Sequence, residues 1–230
     1  MNARLRLLLF LIALAPAGAG AQAVSKHEEF VPKGGKGPIV VVISGTTGLP
    51  YYWSYAQRVS ELGYYTVLID GKDILTREQD GAANLRAVIT TAQASAHGMR
   101  RKAMLIGFSQ GGGGILAHGA AMDDVVVAAV AYYPATSWAR NPVGLAARIR
   151  VPLLILAGAA DRYNNCCLVE SIRQIEAAAR ELDRPLELVV YPNADHGFNL
   201  DRYRGNYRHE DAEDAWRRTT QMLAKHQPLH

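Results

Sequence analysis

The stretch Leu105-Ile106-Gly107-Phe108-Ser109-Gln110-Gly111-Gly112 joins two segments of different character. The apolar residues 103–106 predict a buried strand, and the residues from 115 onward predict a helix. Between them stands the pattern G-x-S-x-G, in which a sharp strand-to-helix turn projects the serine hydroxyl above a sheet. A turn this tight brings the backbone so close to itself that a Cβ at Gly107 or Gly111 would clash. The pattern therefore predicts a nucleophilic Ser109 at the end of a strand.

A phosphate-binding loop is the main alternative for a glycine-rich turn between a strand and a helix. Such a loop carries Gly-Lys followed by Ser or Thr, and no such residues follow Gly111. A helix that begins at Ser109 would direct its free N–H groups, and the positive end of its dipole, at a negative oxygen formed there. We therefore interpret the turn as one that carries a nucleophile.

Segments typical of strands and helices alternate along the rest of the chain. Strands are predicted over residues 38–44, 64–69, 102–108, 125–133, 151–157 and 185–191. Helices are predicted over residues 53–62, 79–97, 109–122, 166–182 and 211–225. Residues 24–37 indicate a lead-in or one short edge strand, and the insertion 134–150 has only a short helical hint at 145–149. This alternation predicts one α/β domain, residues 24–230, with a mostly parallel sheet, helices on both faces and a minimal lid.

Two further polar residues follow predicted strands and suit a serine nucleophile. A serine hydroxyl needs a base to take its proton and a third group to orient that base. Asp161 comes shortly after the strand at 151–157, and His196 lies in the loop after the strand at 185–191. The chain order Ser, Asp, His is the order found in α/β-hydrolases, so we predict that fold with Ser109, Asp161 and His196 as the catalytic residues.

The other histidines are weaker candidates for the base. The chain has seven histidines, and only His196 directly follows a core strand in a short loop. His118 lies inside the predicted helix after Ser109, where a packing role is expected, and His209 before the last helix is the reserve candidate. Asp195 is an unsuitable partner for His196, because neighbouring side chains on an extended segment point apart.

Two backbone amides are expected to form the oxyanion hole. One is the amide of Gln110, which follows the nucleophile. The second should come from the loop after the first core strand, Gly45-Thr46-Thr47-Gly48, with Thr46 as the donor. Aromatic residues near strand ends could form an apolar substrate pocket, although packing is an equal alternative. These residues are Tyr51, Tyr52, Trp53, Tyr133, Trp138 and Phe198.

Residues 1–23 have the features of a secretory signal peptide. Arg4 and Arg6 precede an apolar segment that is too short to span a bilayer, and Ala21-Gln22-Ala23 offers a cleavage site. Cleavage leaves a net charge of +2, because the segment holds two of the 25 basic residues and none of the 21 acidic ones. That small charge argues against nucleic acid as a partner. We expect an exported protein, periplasmic or secreted, with no stable membrane insertion after cleavage.

The only two cysteines, Cys166 and Cys167, are adjacent. Export permits disulfides, but neighbouring cysteines would close a strained eight-membered ring. We therefore expect two buried thiols at the start of a helix. A metal site is not expected, because adjacent ligands rarely point at one ion, and the chemistry predicted above needs no cofactor.

The sequence resembles the dienelactone hydrolase family of α/β-hydrolases from residue 38 to about residue 199. The resemblance rests on Gly45-Thr46-Thr47-Gly48-Leu49, on Gly107-Phe108-Ser109-Gln110-Gly111, on Gly158-Ala159-Ala160-Asp161 and on Tyr191-Pro192-Asn193-Ala194-Asp195-His196-Gly197-Phe198. It implies nucleophile Ser109, acid Asp161 and base His196. The family's namesake enzymes use a cysteine nucleophile on a chlorocatechol-derived lactone, whereas this chain has a serine, so the resemblance implies fold and hydrolase chemistry without that substrate.

The function predicted from the sequence is therefore hydrolysis of a small-molecule carboxylic ester or lactone through an acyl-enzyme. Thioesterase, amidase and acyltransferase activities use the same residues and remain open. A non-catalytic binding protein with this fold is the alternative from a different class. The sequence does not indicate the oligomeric state.

Overall fold

A computed structural model of the protein describes residues 26–202 and 205–230. The signal peptide expected at residues 1–23 lies outside the described residues. Within these two ranges, no helix is both long enough and apolar enough to cross a membrane.

Seven strands of the described part of the chain form one sheet in the order β1-β3-β2-β4-β5-β6-β7. Their bounds are β1 His27–Phe30, β2 Ile39–Ile43, β3 Tyr65–Ile69, β4 Ala103–Phe108, β5 Val126–Tyr132, β6 Leu153–Gly158 and β7 Leu186–Tyr191. All neighbouring strands are parallel except β1, which pairs antiparallel with β3 at one edge. The mostly parallel sheet is confirmed, and residues 27–30 form the short edge strand that was one of the two expectations for the lead-in.

Six α-helices are found among the described residues, five of them between strands and the sixth after the last strand. Their bounds are α1 Trp53–Glu61, α2 Gly81–Ala94, α3 Gln110–Ala117, α4 Pro142–Ala146, α5 Val169–Glu181 and α6 His209–His226. The helix after the nucleophile was predicted to reach residue 122 but ends at Ala117, where His118 leaves the helical conformation with φ −132°. Short α4 lies within the insertion 134–150, so this segment carries no domain-sized lid.

Two predicted helix starts are wrong for local reasons. The hint at 145–149 corresponds to α4, which starts earlier because the Asn141 side chain accepts a hydrogen bond from Gly144 N and Pro142 suits the first turn. The helix predicted from residue 166 begins only at Val169. Asn164 and Asn165 have positive φ angles of 47° and 51°, so the chain turns before the helix can begin.

The core has two layers, one on each face of the sheet. Val41 and Ile43 of β2 face the layer that contains α2, α3 and α5, and Val40 and Val42 face the layer that contains α1 and α6. Every residue of β2, β3 and β4 is buried. This explains why those strands are continuous apolar runs, and it confirms the prediction of helices on both faces.

Candidate active site

The turn at Ser109 has the geometry that its glycines predict. Ser109 lies between β4 and α3 with φ 51°, a conformation uncommon for residues other than glycine. A Cβ built on Gly107 would lie 2.6 Å from the carbonyl oxygen of Gly111. A Cβ built on Gly111 would lie 2.6 Å from the carbonyl oxygen of Ser44. Only glycine therefore fits at both positions of the turn.

The structure brings the serine, the histidine and the aspartate together at the carboxyl ends of the strands. Ser109 Oγ donates to His196 Nε2 at 3.1 Å, and His196 Nδ1 donates to Asp161 Oδ2 at 2.7 Å. Asp161 follows β6 and His196 follows β7, and these two strands are neighbours in the sheet. Exposed fractions are 3% for Ser109, 0% for Asp161 and 6% for His196. Burial strengthens both hydrogen bonds, because the local dielectric constant is lower than in water.

The two aspartates near His196 make different contacts. Asp161 Oδ1 accepts from the backbone amide of Tyr163 at 3.0 Å, so both carboxylate oxygens of Asp161 are engaged. Asp195 Oδ1 accepts from the backbone amide of His196 at 2.6 Å. Asp195 therefore holds the backbone of the loop, and Asp161 holds the imidazole ring.

The two weaker histidine candidates lie at helix ends. His118 directly follows α3, and its burial lowers the pKa of its imidazole, with the Arg148 charge as a smaller cause. His209 is the first residue of α6, where its Nδ1 lies 3.5 Å from the Tyr207 hydroxyl. The contact to Ser109 is made by His196.

Thr46 and Gln110, the predicted oxyanion residues, line one cavity with Ser109. Helix α3 begins at Gln110, so the Gln110 amide belongs to the first turn, where N–H groups have no acceptor within the helix. The loop after β2 also runs close to the nucleophile, because a Cβ built on Gly45 would lie 3.2 Å from the Ser109 Cβ. This placement suits both residues to the role predicted for them.

Tyr163 is a site residue that the sequence analysis missed. Its ring stacks on the His196 imidazole with centroids 4.5 Å apart and an angle of 13° between the planes. Tyr133 packs against the same imidazole at 4.7 Å and 60°. The sequence offered one indication of this role, because Tyr163 comes two residues after the predicted acid and lies in the same loop.

An open cavity of about 570 Å³ lies over Ser109. It is lined by Thr46, Leu75, Thr76, Arg77, Ser109, Gln110, Ala135, Ser137, Trp138, Tyr163, Asn164 and Cys166. Arg77 is the one charged residue in this set. Most of the lining comes from three loops, which follow β3, β5 and β6.

Of the six predicted pocket aromatics, only Trp138 lines this cavity. The prediction is wrong for Tyr52, Tyr133 and Phe198, which are buried in an aromatic cluster beneath the site. It is also wrong for Tyr51 and Trp53, which are exposed outside the cavity. The physical reason is that aromatic rings near these strand ends turn inward, as Tyr52 does against Phe108 at 4.9 Å, and complete the core.

The prediction of two free thiols at a helix start is wrong, because Cys166 and Cys167 form a disulfide. The pair lies in the turn before α5, where two residues with positive φ allow a tight backbone path. Cys166 lines the cavity and Cys167 is buried beneath it. Both sulfur atoms and a ring nitrogen of His196 lie within 4.8 Å of one another. Sulfur atoms bonded to each other are not thiolate ligands, so in this oxidised state the cluster is not a metal centre.

A mostly parallel sheet whose central strand leads into a serine-bearing turn, with acid and base on later strand ends, defines an α/β-hydrolase. That is the class of protein to which the fold and the site point. The fold prediction is thereby confirmed.

The chain belongs to the dienelactone hydrolase family, whose model matches residues 72–227. A Yersinia pestis protein named "Putative carboxymethylenebutenolidase" is 28% identical over 84% of this chain and 79% of its own length. A Methylorubrum extorquens protein of the same name is 26% identical over 81% of this chain and 71% of its own. A crystal structure titled as a "Putative Dienelactone Hydrolase" from Klebsiella pneumoniae covers 86% of this chain and 97% of that one, with a TM-score of 0.69 and 25% identity. The protein is therefore an enzyme, a hydrolase that acts on esters.

Proposed function

We propose that this enzyme is a serine hydrolase that cleaves small carboxylic esters or lactones through an acyl-enzyme. The observation that carries the proposal is the hydrogen-bonded relay from Ser109 through His196 to the fully buried Asp161. A relay of this geometry supplies the two things that a serine hydroxyl lacks, which are a base for its proton and an anchor for that base.

Ser109 Oγ attacks the ester carbonyl carbon while His196 Nε2 takes the hydroxyl proton. The amides of Thr46 and Gln110 donate to the negative oxygen that forms. The carbon–oxygen bond to the alcohol then breaks, and His196 returns the proton to the leaving oxygen. A water molecule then attacks the acyl-enzyme by the same steps, and the acid is released. Throughout, Asp161 keeps the proton of the imidazole on Nδ1, so that Nε2 is free to accept.

The cavity favours a small substrate. Its volume is about 570 Å³, and the insertion 134–150 contributes a few wall residues without a domain that could enclose a long acyl chain. Tyr163 and Trp138 offer apolar contact beside the nucleophile.

A carboxylate-bearing lactone or ester is the second candidate substrate class. Arg77 supports it as the one charged residue among the described residues that line the cavity, because a guanidinium group pairs well with a carboxylate. The relatives' name, carboxymethylenebutenolidase, refers to a lactone with a carboxymethylene substituent. Arg77→Gln should raise the KM for carboxylate-bearing substrates and leave the KM for neutral esters unchanged.

A substrate panel tests the proposal. Purified protein is assayed with neutral esters, lactones, carboxylate-bearing lactones, thioesters and peptides, and the Ser109→Ala variant gives the blank. We expect ester or lactone hydrolysis above the blank. Turnover confined to thioesters or peptides would move the function to thioesterase or amidase, and transfer to an added alcohol in place of water would indicate an acyltransferase. No turnover of any substrate would favour a binding protein and overturn the proposal.

A further inference from the structure

The disulfide between Cys166 and Cys167 forms part of the wall of the substrate cavity. Cys166 lines the cavity together with Ser109, whereas Cys167 lies behind it and is 1% exposed. Both sulfur atoms lie within 4.8 Å of a ring nitrogen of His196. Of the two cysteines, Cys166 is therefore the one that a reagent in the cavity would meet.

Hydrogen bonds and a ring stack connect the turn from Tyr163 to Cys166 with three parts of the site. The Cys166 carbonyl oxygen accepts from the amides of Thr136 at 2.7 Å and Ser137 at 3.0 Å, which connects it to the part of the cavity wall that follows β5. The Cys166 amide donates to the carbonyl oxygen of Tyr163 at 2.9 Å. Tyr163 in turn stacks on His196 and donates its own amide to Asp161. The disulfide thus fixes the backbone at the end of a turn whose other residues position the base and the acid.

On the basis of the hydrolase function proposed above, we propose that Cys166–Cys167 is a thiol-exchange site for small dithiols and that its reduction suppresses hydrolysis. A thiolate of the dithiol attacks Sγ of Cys166, the sulfur–sulfur bond breaks, and Cys167 leaves as a thiolate that takes up a proton. The second thiolate of the dithiol attacks the mixed disulfide and releases Cys166. Two electrons pass to the cysteines, and the dithiol becomes a cyclic disulfide.

Reduction lowers activity in two ways. It opens the eight-membered ring that fixes the backbone at Cys166, whose amide holds the turn from which Tyr163 stacks on the imidazole. It also places two thiols beside His196, and a thiol next to an imidazole readily gives it a proton and forms a thiolate–imidazolium pair. An imidazolium cannot accept the proton of Ser109. General-base catalysis contributes about 10²- to 10⁴-fold to rate, so we expect kcat to fall by about tenfold or more.

The experiment compares the oxidised full chain with the same protein after treatment with dithiothreitol and its anaerobic removal. Thiols are counted with Ellman's reagent, kcat is measured on a short-chain p-nitrophenyl ester with Ser109→Ala as the blank, and circular dichroism checks the fold. The matched control is the double variant Cys166→Ser/Cys167→Ser, which carries neither the bond nor the thiols. We expect zero thiols before treatment and two after it, a fall in kcat that reoxidation reverses, and no response of the double variant to dithiothreitol.

Three results would overturn the proposal. They are two counted thiols with an unchanged kcat, no thiols in the folded protein after treatment, and a fall in kcat of the double variant on dithiothreitol treatment equal to that of the wild type. If the double variant does not fold, the test rests on the wild-type protein alone, whose kcat must fall on reduction and recover on reoxidation. Absence of activity in the oxidised protein above the blank would instead refute the hydrolase function itself, so the two failures are distinguishable.

Discussion

Replacing Asp161 by asparagine should remove the carboxylate that orients His196 while it keeps the size and shape of the side chain. In the structure, Asp161 Oδ2 accepts from His196 Nδ1 at 2.7 Å, and Oδ1 accepts from the amide of Tyr163 at 3.0 Å. An asparagine of the same shape can keep its oxygen on the Tyr163 amide, which turns its NH₂ group toward Nδ1. Nδ1 must then accept, so the ring proton moves to Nε2. Nε2 can no longer take the proton of Ser109.

The size of the effect follows from this change of tautomer. Loss of the orienting carboxylate in a Ser-His-Asp site costs about 10⁴-fold in kcat, so we expect Asp161→Asn to lose about 10³- to 10⁴-fold. The matched control is Asp195→Asn, whose oxygen can still accept from the His196 amide, and it should lose about tenfold or less, because only one backbone hydrogen bond is weakened. The assay is kcat on a short-chain p-nitrophenyl ester, with circular dichroism to show that both variants fold. The opposite order of the two variants would refute the assignment of Asp161 as the acid.

Four further predictions concern the substrate, the turn at Gly107, the ring stacked on His196 and the leader. The kcat/KM for p-nitrophenyl esters should fall from short to long acyl chains, because the cavity measures about 570 Å³ and the insertion 134–150 holds only the short helix α4. Gly107→Ala should lower the free energy of unfolding by about 1–3 kcal/mol in thermal or denaturant melts, because the new Cβ would meet the Gly111 carbonyl oxygen at 2.6 Å. Tyr163→Leu should lower kcat by about tenfold while Tyr163→Phe stays within about twofold, since only the aromatic face stabilises the imidazolium. We propose that residues 1–23 are a leader removed on export, and the intact mass of protein from a host with a matching export system should show their loss.

Each of these four predictions has a result that would contradict it. A rise of kcat/KM toward long chains would mean that the cavity extends further than its walls indicate. An unchanged melting temperature for Gly107→Ala would show that the turn can relax around a Cβ. Equal losses in both Tyr163 variants would assign the effect to the hydroxyl, and a full-length chain recovered from the membrane would exclude leader cleavage.

The sheet was predictable because its central strands are buried on both faces. Their sequences are continuous apolar runs, such as Ile39–Ile43, that end at glycines or at polar residues. Because Ser109, Asp161 and His196 follow such ends, they were predicted to lie on one rim of a parallel sheet. The structure brings the three together. Helix ends were less predictable. The end of α3 depends on the backbone conformation of His118, and the start of α5 depends on that of residues 164–165. Hydrophobic periodicity does not report these conformations.

The cavity wall was not predictable from the sequence. Tyr52 and Phe198 follow strand ends as Trp138 does, and the choice between core and cavity depends on how each loop folds back. The ring strain of adjacent cysteines argued against a disulfide, yet the turn before α5 brings the two sulfurs together. The stack of Tyr163 on His196 joins loops that follow different strands, and such contacts appear only once the chain is folded.

Labelling with a fluorophosphonate tests the activated serine at the centre of this account most directly. The reagent phosphonylates a serine only where a neighbouring base takes its proton, and intact-mass and peptide mass spectrometry locate the adduct. We expect one adduct per chain on Ser109, none on Ser109→Ala, and labelling slowed by about 10²-fold or more in His196→Ala, whose base is gone. A folded protein that stays unlabelled, or an adduct on a residue other than Ser109, would contradict the assignment.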